Sequence, residues 1–479
     1  MTLWNIQKLE KNENVKKIIT ELENILGADR VLTDVNILKT KALDFTPLFL
    51  ARTLRNMEIP LPDVIVKPRN TDDVSKIIKI ANLFNVPIIP LGGGSGVVGG
   101  IIPIHGGIFI DLEDFKTIDV DEENMMVHVG AGVKGIELER ELNKKGYTTG
   151  HYPQSLYDST IGGWIATKSI GQYSTKYGGI EDIVVSLEVV LPTGEIITTK
   201  PAPRTSTGPD MKHLFIGSEG TLGIITSAIL KIRPVSQSRT LLSYTFDSFN
   251  KGLNTVKAIM MKGLNPDVIR LYDEDDSALW FTGKVNKPLL IIILEGEQAI
   301  LNAQKQIIDE IIIKNGGSWS GEELPSIWLK ERFEAKEKAE QYMKMGLLID
   351  TIEVSGLWNK LPSLHTKIKT SLKNIQEKNA SVLHTSAHAD HFYINGGCLY
   401  FTIAGVSEEN DPTYFYEKIW ETSMKVCLSL NCSISDHHGI GLIRLPWIKQ
   451  ELGSAYSILK QIKNTLDPKN IMNPDKLLQ

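Results

Sequence analysis

The stretch that most constrains this chain is the glycine run Pro90-Leu-Gly-Gly-Gly-Ser-Gly-Val-Val-Gly-Gly100, which follows the apolar segment Val86-Pro-Ile-Ile89. Gly94, Gly96 and Gly99 have GxGxxG spacing, but the dinucleotide motif with that spacing needs a helix to open at the glycines. Here Ile101-Ile-Pro103-Ile-His-Gly-Gly107 follows, and a proline with two more glycines breaks a helix. The run therefore argues against a Rossmann turn. It predicts a loop of unhindered backbone N–H groups that can approach a diphosphate closely, although an ordinary glycine-rich turn satisfies the same residues.

Two later segments share that character. Ser159-Thr160-Ile-Gly162-Gly163-Trp164-Ile-Ala166 and Gly217-Ser-Glu-Gly-Thr-Leu-Gly-Ile-Ile225 each set small and hydroxyl residues before an apolar run. Three such loops in one region imply one large, flat, phosphate-bearing cofactor.

The pattern along the chain predicts an α+β protein. Residues 1–55 read as a helical opening, with Val15–Leu26 amphipathic and Gly27 as its stop. Residues 56–236 alternate short strands with Gly and Pro, around a helix from Asp72 to Asn85 capped at Thr71-Asp-Asp. Residues 237–435 repeat strand–helix–strand passages, with strands near 268–271 and 288–294 and a long helix at 298–315. This predicts a cap, or substrate, domain of antiparallel sheet with helices to one side. Residues 436–479 form a C-terminal segment whose last part, Asp467–Asp475, is a fixed coil punctuated by Pro and Asn.

Composition narrows the partners. With 52 basic and 57 acidic residues the formal charge is −5, so there is no surplus for gripping a nucleic-acid backbone. Cys398, Cys427 and Cys432 are too few for a disulfide framework in a chain this long, which fits a reducing cytoplasm. The opening Met1–Ile6 followed by the charged Gln7–Lys17 has no apolar core, so export by a signal peptide is not expected. Pro288–Leu294 is far too short to span a bilayer and reads as a buried strand, while peripheral membrane contact stays undecided.

Five of the ten histidines, at 384, 388, 391, 437 and 438, crowd into the second half and mark a polar site. As a regular strand, Leu383–Tyr393 would put His384, His388 and Asp390 on one face and His391 with Tyr393 on the other, unable to converge on one ligand. In Cys398–Ala404, alternation sends Leu399, Phe401 and Ile403 one way and Cys398, Tyr400 and Thr402 the other. That places Tyr400 in a lined cavity, or in the core with one hydrogen bond. His213 and His365 have no such setting, read as surface or helix-face residues, and receive no role.

Pro90–Gly100, Ser159–Ala166, Gly217–Ile225 and Lys231-Ile-Arg-Pro234 together resemble the FAD-binding (PCMH-type) domain of the vanillyl-alcohol-oxidase flavoproteins, the FAD-linked oxidases. Within that superfamily, five segments resemble the alkyldihydroxyacetonephosphate (alkylglycerone-phosphate) synthases: Gly150–Leu156, Pro203–Asp210, Ile269-Arg270-Leu271, Cys398–Phe401 and His437-His438-Gly. The chain is also similar to D-lactate and glycolate dehydrogenases.

The resemblance implies that Pro90, Gly92, Gly93, Gly94, Ser95 and Gly96 hold the FAD diphosphate. Ser159, Thr160, Gly162 and Gly163 would line the flavin side, and Pro153, Glu219, Ile224 and Ile225 would lie along the cofactor. Some relatives attach flavin covalently through a His in the first glycine loop; this loop has none, so non-covalent FAD is implied. Tyr400, His437 and His438 become the acid–base candidates, and Arg270 with His388 the candidates for an anionic substrate group. Related 2-hydroxy-acid dehydrogenases carry metal histidines in this region, but here Asn395 and His437 stand where ligands would be, so no metal is expected. Two departures from the synthases fall on their site: Asp436 replaces the first of three histidines, and Ala339, beside Lys338, replaces an arginine.

Two chemistries are then open. One oxidises a small 2-hydroxy acid by hydride transfer to flavin N5. The other exchanges the acyl group of acyl-dihydroxyacetone phosphate for a fatty alcohol, without net redox. The departures favour the first, with a small anionic substrate, an electron acceptor that the sequence does not identify, and room for a homodimer.

Overall fold

The computed structural model describes residues 14–478; residues 1–13, on which the expectation of no export signal largely rests, lie outside it together with Gln479. The first helix, Asn14–Leu26, buries Val15, Ile18, Leu22 and Leu26 against the helix Thr71–Phe84, as the spacing predicts. That second helix is capped one residue earlier than expected. The Asn70 side chain accepts from Asp73 N at 2.9 Å, and Asn85 ends the helix in the left-handed region.

The strands Val64–Val66, Ile108–Asp111 and Ile88–Leu91 pair in parallel, with Val31–Leu32 antiparallel at the edge. Thr71–Phe84 connects two of the parallel strands, which is why they can run in the same direction. No helix follows Ile88–Leu91; Gly92–Gly100 form an irregular loop in which Gly94 and Gly99 have positive φ. Beside it an antiparallel sheet of five strands runs in the order 118–121, 126–130, 224–231, 184–190, 196–198.

The second half is built on an eight-stranded sheet whose pairings are all antiparallel. Its long members are Ser238–Thr245, Leu289–Gly296, Val268–Tyr272, Ala380–Tyr393, Gly396–Val406 and Leu348–Leu357, in that spatial order. The apolar stretch expected as a strand is an interior one, between Ser238–Thr245 and Val268–Tyr272, and Leu289 to Ile293 are fully buried. Ile269, Leu271, Ala387, Ala389, Leu399, Phe401 and Ile403 join one core with the helices Phe249–Met261, Gln298–Lys314, Leu361–Lys373 and Thr413–Ser429. Because strand residues alternate faces, Arg270, His388 and Tyr400 are left on the opposite side.

The chain's last segment returns to the glycine loop. Leu442 N and Ile443 N donate to Val98 O, and Asn473 Nδ2 donates to Gly100 O. Ile471–Asn473 pair with Ile88 alongside the parallel strands. Among the described residues the three cysteines are free and buried, and no helix is long and apolar enough to cross a membrane.

Candidate active site

A cavity of about 1210 Å³ opens between the glycine loop and the face of the large sheet that carries Arg270, His388 and Tyr400, and the helix Ala335–Lys344 lines it as well. Every candidate named from the sequence lines it, from Pro90 and Gly92–Gly96 through Pro153, Ser159, Thr160, Gly162, Gly163, Glu219, Ile224 and Ile225 to Arg270, His388, Tyr400, His437 and His438.

At the loop end the backbones are too close for side chains. A Cβ on Gly93 would lie 2.0 Å from Asp158 O, and one on Gly92 would lie 2.5 Å from Thr160 Oγ1. Gly94 has φ +63, where L side chains are strained. The fit to a dinucleotide is thus a bare backbone cradle against a hydroxyl-bearing turn. Asp44, from the N-terminal segment, adds a buried Oδ2 without a hydrogen-bond partner beside Gly96, and burial pushes its carboxyl up to about 6. Gly93→Ala should purify without flavin, whereas Gly96→Ala, whose Cβ meets only Asp44 Oδ2 at 3.4 Å, should stay yellow. The check is the flavin-to-protein absorbance ratio; normal flavin affinity in Gly93→Ala removes the cradle assignment.

At the other end, sheet register sets the site. Tyr400 is the cross-strand partner of both His388 and Glu353. Its ring lies between His388 (centroids 4.9 Å apart, 15° between planes) and His437 (6.2 Å, 12°), with His438 edge-on at 5.6 Å. Burial pushes the phenol up, so Tyr400 is a proton donor at rest.

The expectation that His391 faces away from His388 and Asp390 is overturned. Register slips between Asp390 and Tyr393, and His391 takes φ +46, so His384, His388, Asp390 and His391 all line the cavity. A bulge re-aims one side chain and breaks the period of two. His391 Nδ1 pairs with Ser174 Oγ at 2.8 Å, and Nε2 lies 3.6 Å from Asp390.

The histidine turn is organised by a carboxylate that the sequence did not single out. Glu353 accepts from Ser435 Oγ at 2.9 Å, from the backbone N–H groups of Asp436 and His438, and from the fully buried Arg444 at 2.9 Å. Burial opposes its charge, but Arg444, His437 and His438 hold its carboxyl down at about 2. The two histidines are driven apart. Burial and then the neighbouring His437 hold His438 well below its ordinary value. Against the same burial, Glu353, Asp436 and Asp390 raise His437. Nδ1 of His438 is buried without a hydrogen bond, 3.6 Å from Glu353 Oε1, and the two rings lie 4.4 Å apart.

Glu353, Cys398 and His437 bring ligand atoms within 4.8 Å of one another, but both Glu353 oxygens already accept hydrogen bonds. Ala339 does line the cavity, where the synthase resemblance led one to expect an arginine, and Lys338 beside it pairs with Glu331 at 3.0 Å. His213 is exposed near Asp210. His365 is a buried helix-face residue that pairs with Asp273 at 3.0 Å.

The sequence matches the FAD binding domain family over residues 62–200 and the family of FAD linked oxidases, C-terminal domain, over residues 235–477. It is 33% identical over 473 residues to the uncharacterized FAD-linked oxidoreductase YgcU of Escherichia coli O157:H7, covering 95% of this chain and 97% of that one. It is 32% identical to the alkyldihydroxyacetonephosphate synthase of Dictyostelium discoideum (87% and 73% covered) and 29% identical to the mitochondrial D-lactate dehydrogenase [cytochrome] of Arabidopsis thaliana (99% and 82%). A solved alkyldihydroxyacetonephosphate synthase superposes with a TM-score of 0.82 at 28% identity, covering 99% of this chain and 88% of that one. With a cradle that suits the cofactor and a second half that matches the oxidase family throughout, the chain belongs to the FAD-linked oxidoreductases and is an FAD-dependent enzyme.

Proposed function

We propose that the enzyme oxidises a small 2-hydroxy acid of the D-lactate or glycolate type. The observation that carries this reading is the placement of Arg270 in the same cavity as His438, whose Nδ1 makes no hydrogen bond and lies 3.6 Å from Glu353 Oε1. Arg270 pairs the substrate carboxylate. His438 takes the hydroxyl proton, and the adjacent charged His437 with the Tyr400 phenol stabilises the oxygen as it loses that proton. FAD, when bound, supplies the acceptor for the hydride that leaves the α-carbon.

Arg270→Lys should raise KM for the acid by about 10- to 100-fold at unchanged flavin content, because an ammonium cannot pair a carboxylate bidentately and hydrogen bonds to charged groups contribute roughly 1.5–3 kcal/mol. Loss of FAD in that variant would make Arg270 structural.

A second reading has its own support. Leu50, Val97, Leu347 and Ile349 also line the cavity, apolar surface suited to an alkyl chain, and the synthases are among the similar proteins. That reading is exchange of the acyl group of acyl-dihydroxyacetone phosphate for a fatty alcohol. Anaerobic mixing with a panel of 2-hydroxy acids separates the two. Bleaching of the flavin by D-lactate or glycolate, with recovery on adding an electron acceptor, is expected. Release of labelled fatty acid from acyl-dihydroxyacetone phosphate without bleaching would replace the first reading by the second.

A further inference from the structure

Arg270 is held by two groups on the same face of the sheet. Its Nη2 donates to Nε2 of His388, and its Nη1 lies 3.4 Å from Asp390 Oδ2. A guanidinium can only donate, so Nε2 of His388 must be the acceptor and the ring's single proton must sit on Nδ1. Nδ1 faces Oδ2 of Asp276 at 2.9 Å, and a carboxylate accepts that proton's hydrogen bond. Two neighbours therefore impose the same tautomer, and both ring nitrogens of His388 are used.

Asp276 is fully buried and does not line the cavity. It sits in the first turn of the helix Glu274–Trp280, where its N–H donates to the capping Asp273 at 2.8 Å. Its Oδ1 accepts from Ser386 Oγ at 2.6 Å. Ser386 and His388 are two apart on one strand and so share a face, which lets one carboxylate grip both.

We propose that Asp276 and His388 are positioning residues that turn Arg270 toward the substrate. With Nη2 tied to His388, the guanidinium cannot place both Nη groups on Asp390. The guanidinium N–H groups not used by His388 and Asp390 stay available for a carboxylate, since the side chain lines the cavity and keeps some exposure. Freed from His388, the fork would close bidentately on Asp390 and its charge would be spent there. This rests on reading Arg270 as the anion-binding group.

The test is titration of the FAD-loaded enzyme with oxalate, an anion without an α-hydrogen, read as Kd from the perturbation of flavin absorbance. His388→Leu should weaken oxalate by at least about tenfold, the scale of one hydrogen bond to a charged group. His388→Gln, whose Oε1 can accept from Nη2, should stay within about threefold of wild type. Asp276→Ala, which frees the tautomer, should weaken oxalate by about three- to tenfold. An unchanged Kd in His388→Leu or Asp276→Ala, or an equal loss in His388→Gln and His388→Leu, would overturn the relay. A wild-type enzyme that binds no oxalate would overturn the anion reading of Arg270, and the relay with it.

Discussion

His438→Ala should lower kcat by roughly 10²–10⁴ while the protein stays yellow, since a positioned base contributes on that order. The argument is geometric first: His438 lines the cavity edge-on to Tyr400, with its Nδ1 buried 3.6 Å from Glu353 Oε1 and without a hydrogen bond. Burial and then the neighbouring His437 hold the ring's pKa below the ordinary 6.5, so the acidic limb of kcat/KM should fall below pH 6.5. Tyr400→Phe keeps the aromatic stack and removes only the phenol, and a kcat loss in the same range is expected. Stopped-flow flavin reduction under anaerobic substrate measures both. Wild-type reduction rates in His438→Ala would remove it as the base.

Arg444→Met should destabilise the enzyme by about 3–5 kcal/mol at neutral pH, because it strands the buried Glu353 carboxylate without its partner. Arg444 also donates to Gly439 O at 2.9 Å and stacks over Trp420, so the loss loosens the turn that carries His437 and His438. The pH dependence has a definite sign. The carboxyl of Glu353 is depressed from 4.5 to about 2 on folding, so its contribution is complete above pH 4.5 and lost as pH falls through about 2. The gap between wild type and Arg444→Met in urea midpoint should therefore narrow as pH is lowered from 4.5 towards 2. A gap that stayed constant over that range would show that the cost is packing alone.

Loss of flavin and loss of rate test different ends of one cavity, and the two ends were unequally readable from the amino acids. The glycine loop was legible because its chemistry is local: consecutive glycines followed by Pro103 exclude a helix and leave bare backbone, and the structure has a loop there. The Cys398–Ala404 strand was legible for the same reason. Alternation alone sends Leu399, Phe401 and Ile403 into the core and leaves Tyr400 and Thr402 on the cavity.

What sequence periodicity could not decide depends on register and on contacts distant along the chain. Period two separated His391 from His388, and a bulge with one left-handed residue brought both to the same cavity; no residue between Asp390 and Tyr393 announces that slip. Glu353 received no role from the sequence, yet its carboxylate binds a turn 82 to 91 positions away. Asp276 received no role from the sequence, and only the pairing of strands far apart in the chain brings it to His388, 112 positions on. Sequence by itself thus determined the cofactor cradle and which strand faces were polar, because backbone sterics and side-chain alternation act between neighbours. The tertiary structure alone decided which charges meet, because a buried ion pair exists only where two distant segments exclude water together.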